Sequence, residues 1–318
     1  MNAQTLAEKG EFGLIADLLA DLPTSPAVSV GPGDDSAVFL VSGSAVVCTD
    51  VLVEGVHFRR DWSEARDIGR KAIAVNASDI EAMGARPVTA VLGFSAPGDL
   101  PVAWARDFLA GIVEEAERAG LVLVGGDTTR SRDITIGITL VGETDGRDPV
   151  QRSGARPGQL VAFVGRLGWA AAGLTTLQRG FRSPRAAVAA QRCPEVAYGQ
   201  GRIAADAGAG AMIDVSDGLR QDLGHIAHAS GVVIDLDTAA IPVDEPLRVV
   251  GQATGIDPLM FALTGGEDQA LVATFDEGFV PADWTVIGRV LEVPSDGAPG
   301  VLIDGEEPEG AGGWDHFR

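Results

Sequence analysis

Aspartate recurs in positions that suggest chemistry. Asp34 and Asp35 follow Gly33, and Asp50 follows Thr49 after Val46-Val47-Cys48. Asp79 ends the string Asn76-Ala77-Ser78-Asp79, and Asp127 follows Gly125-Gly126 after Leu121 to Val124. Asp214 and Asp217 bracket Val215-Ser216 after Ala211-Met212-Ile213, and Glu267-Asp268 follow Gly265-Gly266 after Phe261-Ala262-Leu263. One Asp after an apolar run is ordinarily a turn former or a helix cap. Repetition along one chain points instead to carboxylates that converge, and each close pair repels by about 4 kcal/mol at ~4 Å with an effective dielectric of about 20. Hard divalent cations relieve that repulsion, and Mg²⁺ favours one or two carboxylates together with water and substrate phosphates. The pattern predicts a Mg²⁺–phosphate array. The pairs Gly31/Gly33, Gly125/Gly126 and Gly265/Gly266 would let backbone N–H groups approach phosphate oxygens, although a plain tight turn also explains such pairs.

These groups need elements to hold them. Periodicity predicts helices over 6–20, 63–83, 101–119, 170–178, 194–207 and 219–229. It predicts strands over 37–40, 45–49, 88–94, 121–124, 134–141, 160–164, 212–215, 232–236, 270–275 and 286–291. Strands alternate with helices in both halves, which predicts an α/β (α+β) architecture. Turn residues cluster over 142–149 and 153–158, so the expected domains are residues 1–148 and 149–318.

Composition narrows the partners. The chain has 318 residues and a formal net charge of −21, which argues against nucleic acid, whose binding needs a basic face. An acidic protein that binds an anionic ligand must use metals, backbone amides or a few placed arginines. No apolar run reaches about 18 residues, so no membrane span is expected. Residues 1–9 do not read as a secretory signal. Cys48 and Cys193 stand far apart and make neither a disulfide framework nor a CxxC metal site, which fits a cytoplasmic setting. No Walker loop and no protein-kinase glycine loop is present.

The strings Gly-Pro-Gly-Asp-Asp-Ser-Ala-Val (31–38), Thr-Asp-Val-Leu-Val-Glu-Gly-Val-His-Phe (49–58), Lys-Ala-Ile-Ala-Val-Asn-Ala-Ser-Asp-Ile-Glu-Ala-Met-Gly-Ala (71–85), Gly-Gly-Asp-Thr-Thr-Arg (125–130), Arg-Ser-Gly-Ala-Arg-Pro-Gly (152–158), Ile-Asp-Val-Ser-Asp-Gly-Leu (213–219) and Leu-Thr-Gly-Gly-Glu-Asp (263–268) resemble the thiamine-monophosphate kinase family. Glu-Phe-Gly-Leu-Ile (11–15) and Gly-Trp-Asp-His-Phe (313–317) fit as well, so the resemblance runs along essentially the whole chain.

The resemblance implies a two-domain aminoimidazole-ribonucleotide-synthetase-like fold, with an N-terminal dimerising domain and a C-terminal domain that completes the active site. It implies direct in-line transfer from ATP to thiamine monophosphate, several Mg²⁺ ions and a homodimer. By matching motifs, Asp34, Thr49, Asp50, Asp79, Asp127, Asp214 and Asp217 resemble metal ligands. Asp34, Gly126, Asp127, Arg152 and Ser216 resemble ATP contacts, and His57, Glu267 and Trp314 resemble substrate contacts. Cys48 receives no role.

Phosphoryl transfer to an anionic phosphate oxygen needs positioning and charge neutralisation more than a general base. A carboxylate such as Glu267 and an aromatic face such as Trp314 suit a cationic thiazolium. Structural readings stand beside these: a packing anchor for Trp314, a ligand-free histidine for His57, a salt bridge for Arg152, and capping for Asp35 and Asp268. The alternatives are another ATP-using synthetase of the same superfamily and a thiamine phosphate binding protein without turnover.

Overall fold

The computed structural model of the chain describes residues 4–20, 22–32, 36–310 and 312–314. The chain forms two compact units, one of Met1–Ile80 and Arg86–Gly146, the other of Glu81–Ala85 and Arg147–Arg318.

In the first unit the elements are α1 (Leu6–Lys9), α2 (Glu11–Leu19), β1 (Val28–Val30), β2 (Val38–Phe39), β3 (Ala45–Val53), α3 (Ala65–Ala82, whose last two residues group with the second unit), β4 (Arg86–Ala96), α4 (Val102–Ala119), β5 (Val122–Arg130) and β6 (Thr135–Glu143). A four-stranded sheet has the order β3-β6-β4-β5, antiparallel except for β4 and β5, which α4 joins as a crossover.

Helix α4 buries Val102, Ala105, Phe108, Ile112, Ala116 and Ala119, a helical stripe, and stops at Gly120 in the left-handed region. Phe108 stacks on Phe94 of β4 at 5.3 Å between ring centroids. Helices α3 and α4 approach backbone to backbone, because a Cβ at Gly69 would strike the Phe108 carbonyl and one at Gly111 would strike that of Arg66. On the sheet's other face Val47, Val51 and Val91 are exposed.

The second unit contains β7 (Leu160–Val164), α5 (Trp169–Gln178), α6 (Arg185–Arg192), α7 (Gln200–Asp206), β8 (Met212–Asp214), α8 (Leu219–Ser230), β9 (Val233–Leu236), α9 (Glu245–Thr254), α10 (Pro258–Thr264), β10 (Leu271–Phe275), β11 (Thr285–Leu291) and β12 (Gly300–Ile303). Its six-stranded sheet has the order β12-β9-β11-β7-β10-β8, antiparallel except for β9 and β12. One core joins Phe163, Ile213, Ile234 and Val272 of the sheet to Ala172, Leu223, Leu247 and Phe261 of the helices. A second joins Met212, Leu271 and Phe275 to Ala204 and Trp284.

Several expectations change. The opening helix breaks into two at Gly10, whose φ is 75°. β3 and β5 are longer than expected. Thr49-Asp50 lies inside β3, and Gly125-Gly126-Asp127 continues β5 where a glycine turn was expected. Pairing with β4 holds the Gly-Gly segment extended, and Gly126 is required there because a Cβ would strike the Leu92 carbonyl oxygen. Phe261-Ala262-Leu263, which no expected element covered, belongs to α10. The helix expected over 194–207 is confined to α7.

Candidate functional site

The first unit organises its acidic residues around α3 and β3. Side chains alternate along β3, so Cys48, Asp50 and Leu52 share one face and Val47, Thr49 and Val51 the other. Asp50 is half-buried, and desolvation raises its carboxyl above the ordinary value. Its backbone N–H donates to Asn76 Oδ1 at 3.0 Å. Asp79 lies three residues further along α3, on the same helical face as Asn76 and also half-buried. The Thr49 hydroxyl donates to the Ile138 carbonyl at 2.8 Å and accepts from Thr139 at 3.2 Å, which leaves it one lone pair.

Asp127 is exposed on β5 and pairs with Gly93, in the cross-sheet row that contains Gly137 and Val51. It therefore shares the Thr49 face. β3 and β5 are opposite edges of the sheet, about 14 Å apart along its surface. The sheet does not bring Asp50 and Asp127 together. Asp34 lies outside the described residues, as does Asp35.

His57 sits in the turn after β3. Its Nδ1 accepts the Val53 N–H at 3.0 Å, so Nε2 carries the proton of the neutral ring. Its carbonyl accepts from the buried Lys71 Nζ at 3.1 Å. Cys48 Sγ donates to the Asn76 carbonyl at 3.2 Å.

The second unit draws three separate segments into one place. The turn 215–218 follows β8, whose last residue, Asp214, is buried. Glu267 N–H donates to the Ser216 carbonyl at 2.7 Å, and Gln269 N–H to that of Val215 at 2.9 Å. Trp314 N–H donates to the Asp217 carbonyl at 2.9 Å, while Gln221 Nε2 donates to the Trp314 carbonyl at 2.8 Å. The fit excludes side chains at two glycines. A Cβ at Gly266 would lie 2.5 Å from the Ser216 carbonyl oxygen, and one at Gly313 would strike that of Asp217. Ser216, Asp217, Glu267 and Trp314 are thus neighbours through their backbones. Glu267 and Gln269 have φ of 67° and 56°, left-handed values that cost a non-glycine residue energy.

One support in this unit, Asp222, was not read from the sequence, and another, Asp268, takes the capping role weighed for it there. Asp222 Oδ2 accepts N–H bonds from Ser216, Asp217 and Gly218 at 3.1, 3.1 and 3.0 Å. Burial pushes its carboxyl up to about 7; the Gly218 and Asp217 amides pull it down, and the Asp214 and Asp217 charges raise it. Asp268 accepts from Gly168 and, at 2.8 Å, from Ala170, so it caps α5. An acidic residue in the first turn of α8 was the available signal for Asp222. Arg152 is exposed, and among the described residues no carboxylate pairs with its guanidinium.

The donors in both units are carboxylate, hydroxyl and carbonyl oxygens, with the Cys48 sulfur directed at a carbonyl. That chemistry suits Mg²⁺ better than a soft ion. Among the described residues no three His, Cys, Asp or Glu side chains form a metal cage. Mg²⁺ needs none, since it completes its shell with water and phosphate.

Residues 33–144 match the family model described as AIR synthase related protein, N-terminal domain, which defines the class. The Mycobacterium tuberculosis thiamine-monophosphate kinase is 49% identical over 315 residues, covering 98% of this chain and 93% of that protein. The Corynebacterium glutamicum thiamine-monophosphate kinase is 39% identical, covering 98% and 95%. The solved structure of AaThiL complexed with AMPPCP and TMP superposes with a TM-score of 0.81 at 35% identity, covering 100% of both chains. The chain belongs to the thiamine-monophosphate kinase family.

Proposed function

We propose that this chain transfers the terminal phosphoryl group of ATP to thiamine monophosphate, giving thiamine diphosphate and ADP, with Mg²⁺. The observation that carries this reading is the backbone junction of Ser216-Asp217, Glu267 and Trp314. It sets a nucleotide-type turn, a carboxylate and an indole side by side. The similarity to a protein solved with AMPPCP and TMP supports the same pair of ligands.

Glu267 faces the cationic thiazolium, and its left-handed backbone, tied to Ser216, limits the directions its carboxylate samples. Trp314 is 56% exposed, so its ring offers a face to the same cation. Arg152 supplies a positive charge to the nucleotide. Bound Mg²⁺ would supply positive charge to offset the charge that develops on the phosphates during transfer. Asp50 and Asp79 would hold one cation on the first unit's sheet, Asp214 and Asp217 would hold another within the second unit, and Asp127 with Gly126 would contribute from β5. The acceptor oxygen is already anionic, so no residue serves as a base.

The reading includes a homodimer. The exposed face carrying Val47, Val51 and Val91 also carries Asp127, and a second copy seated there would cover these apolar side chains. It includes a cytoplasmic setting, with both cysteines reduced. Among the described residues no helix is long and apolar enough to cross a membrane.

The test is to incubate the protein with ATP, Mg²⁺ and thiamine monophosphate and to separate the products by chromatography. ADP and thiamine diphosphate rising in equal amounts is the expected result. Saturable binding of both ligands without products would replace the enzyme with a binding protein.

A further inference from the structure

Asn76 is 1% exposed and reaches no solvent, so its amide must be satisfied inside the protein. Its Nδ2 donates to the Ala72 carbonyl at 3.0 Å, a normal helical back-bond that uses the donor side. That orientation aims Oδ1 at β3, where it accepts the Asp50 N–H at 3.0 Å. The amide cannot be flipped, because the flipped form would set NH₂ against a backbone N–H and oxygen against a carbonyl. β3 is an edge strand, and this N–H needs a partner that no neighbouring strand on that side provides. Cys48, two residues before Asp50 and on the same face, donates its thiol to the Asn76 carbonyl. One helical residue is therefore clasped by β3 on either side of Thr49, and Asp79 follows it by three positions on the same helical face.

We infer that Asn76, clasped by Cys48, is a positioning residue that fixes the spacing of Asp50 and Asp79 for a divalent cation. The inference rests on the metal-assisted reading above. Neither residue touches the ion. Their role is to hold two acidic residues, one on a strand and one on a helix, in a single arrangement before the cation arrives. Loss of an outer partner of this kind typically costs about 10-fold to 100-fold in metal affinity or activity.

The experiment uses the full chain and two readouts. Mn²⁺ titration followed by electron paramagnetic resonance, without substrates, reports the cation alone. Steady-state turnover against Mg²⁺, ATP and thiamine monophosphate reports the reaction. Asn76→Ala should weaken Mn²⁺ by about 10-fold or more and raise the Mg²⁺ activation midpoint in parallel, with the KM for thiamine monophosphate little changed. Cys48→Val should shift both midpoints in the same direction by a smaller factor, and Cys48→Ser, which keeps a donor, should restore them. If Asn76→Ala does not fold, the two Cys48 variants decide. Mn²⁺ affinity within twofold of the parent protein in Asn76→Ala, or in Cys48→Val where that variant decides, overturns the inference. So does a Cys48→Ser variant as impaired as Cys48→Val. A parent protein that binds Mn²⁺ but makes no thiamine diphosphate overturns the functional reading and leaves this one standing.

Discussion

The N–H of Asp217 donates to the carboxylate of Asp222 at 3.1 Å, and the amides on either side of it use the same oxygen. Three backbone donors of the 216–218 turn thus converge on one buried side chain. Removing it leaves amides without an acceptor, each at a cost of about 1–3 kcal/mol. Asp222→Ala should lose roughly 3 kcal/mol in denaturant unfolding and raise the KM for ATP. Asp222→Asn keeps one carbonyl oxygen and should lose less on both measures. Equal losses would show that the convergence has no role in shaping the turn.

Asp268 gives a pH dependence with a definite sign. Burial pushes its carboxyl up to about 7, against the pull of the Ala170, Gly168 and Trp169 amides and with a further push from Glu267, whereas the unfolded value is 3.8. Between those values the folded chain holds a proton that the unfolded chain has released, so this group's contribution to stability falls as pH rises and levels off above about 7. The melting temperature of the parent protein relative to Asp268→Asn should decline across that window. A constant difference from pH 4 to pH 8 would mean that Asp268 is ionised throughout.

The two glycines of the Gly125-Gly126 pair should behave differently. A Cβ at Gly125 would meet Val91 Cγ1 at 3.9 Å, an ordinary contact, whereas one at Gly126 would strike the Leu92 carbonyl oxygen on the paired strand. Gly125→Ala should therefore stay within about 1 kcal/mol of the parent protein, and Gly126→Ala should lose about 1–3 kcal/mol or more together with activity. Thermal unfolding of the two variants side by side checks this. Similar tolerance at both positions would contradict the pairing of β4 with β5.

Metal ligation and substrate binding should separate kinetically. Asp50→Asn is expected to cut turnover by at least about 100-fold with an unchanged melting profile, through loss of charge at the cation. Trp314→Ala should raise the KM for thiamine monophosphate and leave that for ATP nearly unchanged, because the indole contributes a cation–π face of about 0.5–2 kcal/mol. Steady-state kinetics on both variants checks the assignment; an ATP defect in Trp314→Ala would move that residue to the nucleotide.

Much of this was legible in the sequence where periodicity was strong. α3 and α4 announce themselves through long helical stripes, and the apolar runs of β7 and β10 through β-rich composition. The polar ends of strands were not legible. Thr49-Asp50 and Gly125-Gly126-Asp127 carry turn residues, yet neighbouring strands keep both segments extended. Phe261-Ala262-Leu263 is too short for periodicity to separate helix from strand. Residue types singled out Asp50, Asp217, Glu267 and Trp314. They did not show that Asp50 and Asp127 face opposite sides of one sheet, which needs strand order and register. Asn76 and Asp222 act through backbone amides, and a buried Asn or Asp in a helix has too many ordinary uses to be picked out beforehand.

The most direct measurement is transfer of label from [γ-³²P]ATP. Incubated with Mg²⁺ and thiamine monophosphate, the protein should place the label in the terminal phosphate of thiamine diphosphate, one equivalent for each ADP formed. Label released wholly as inorganic phosphate, or left on ATP while thiamine monophosphate remains unchanged, would show that the acidic sites of this chain serve a different reaction.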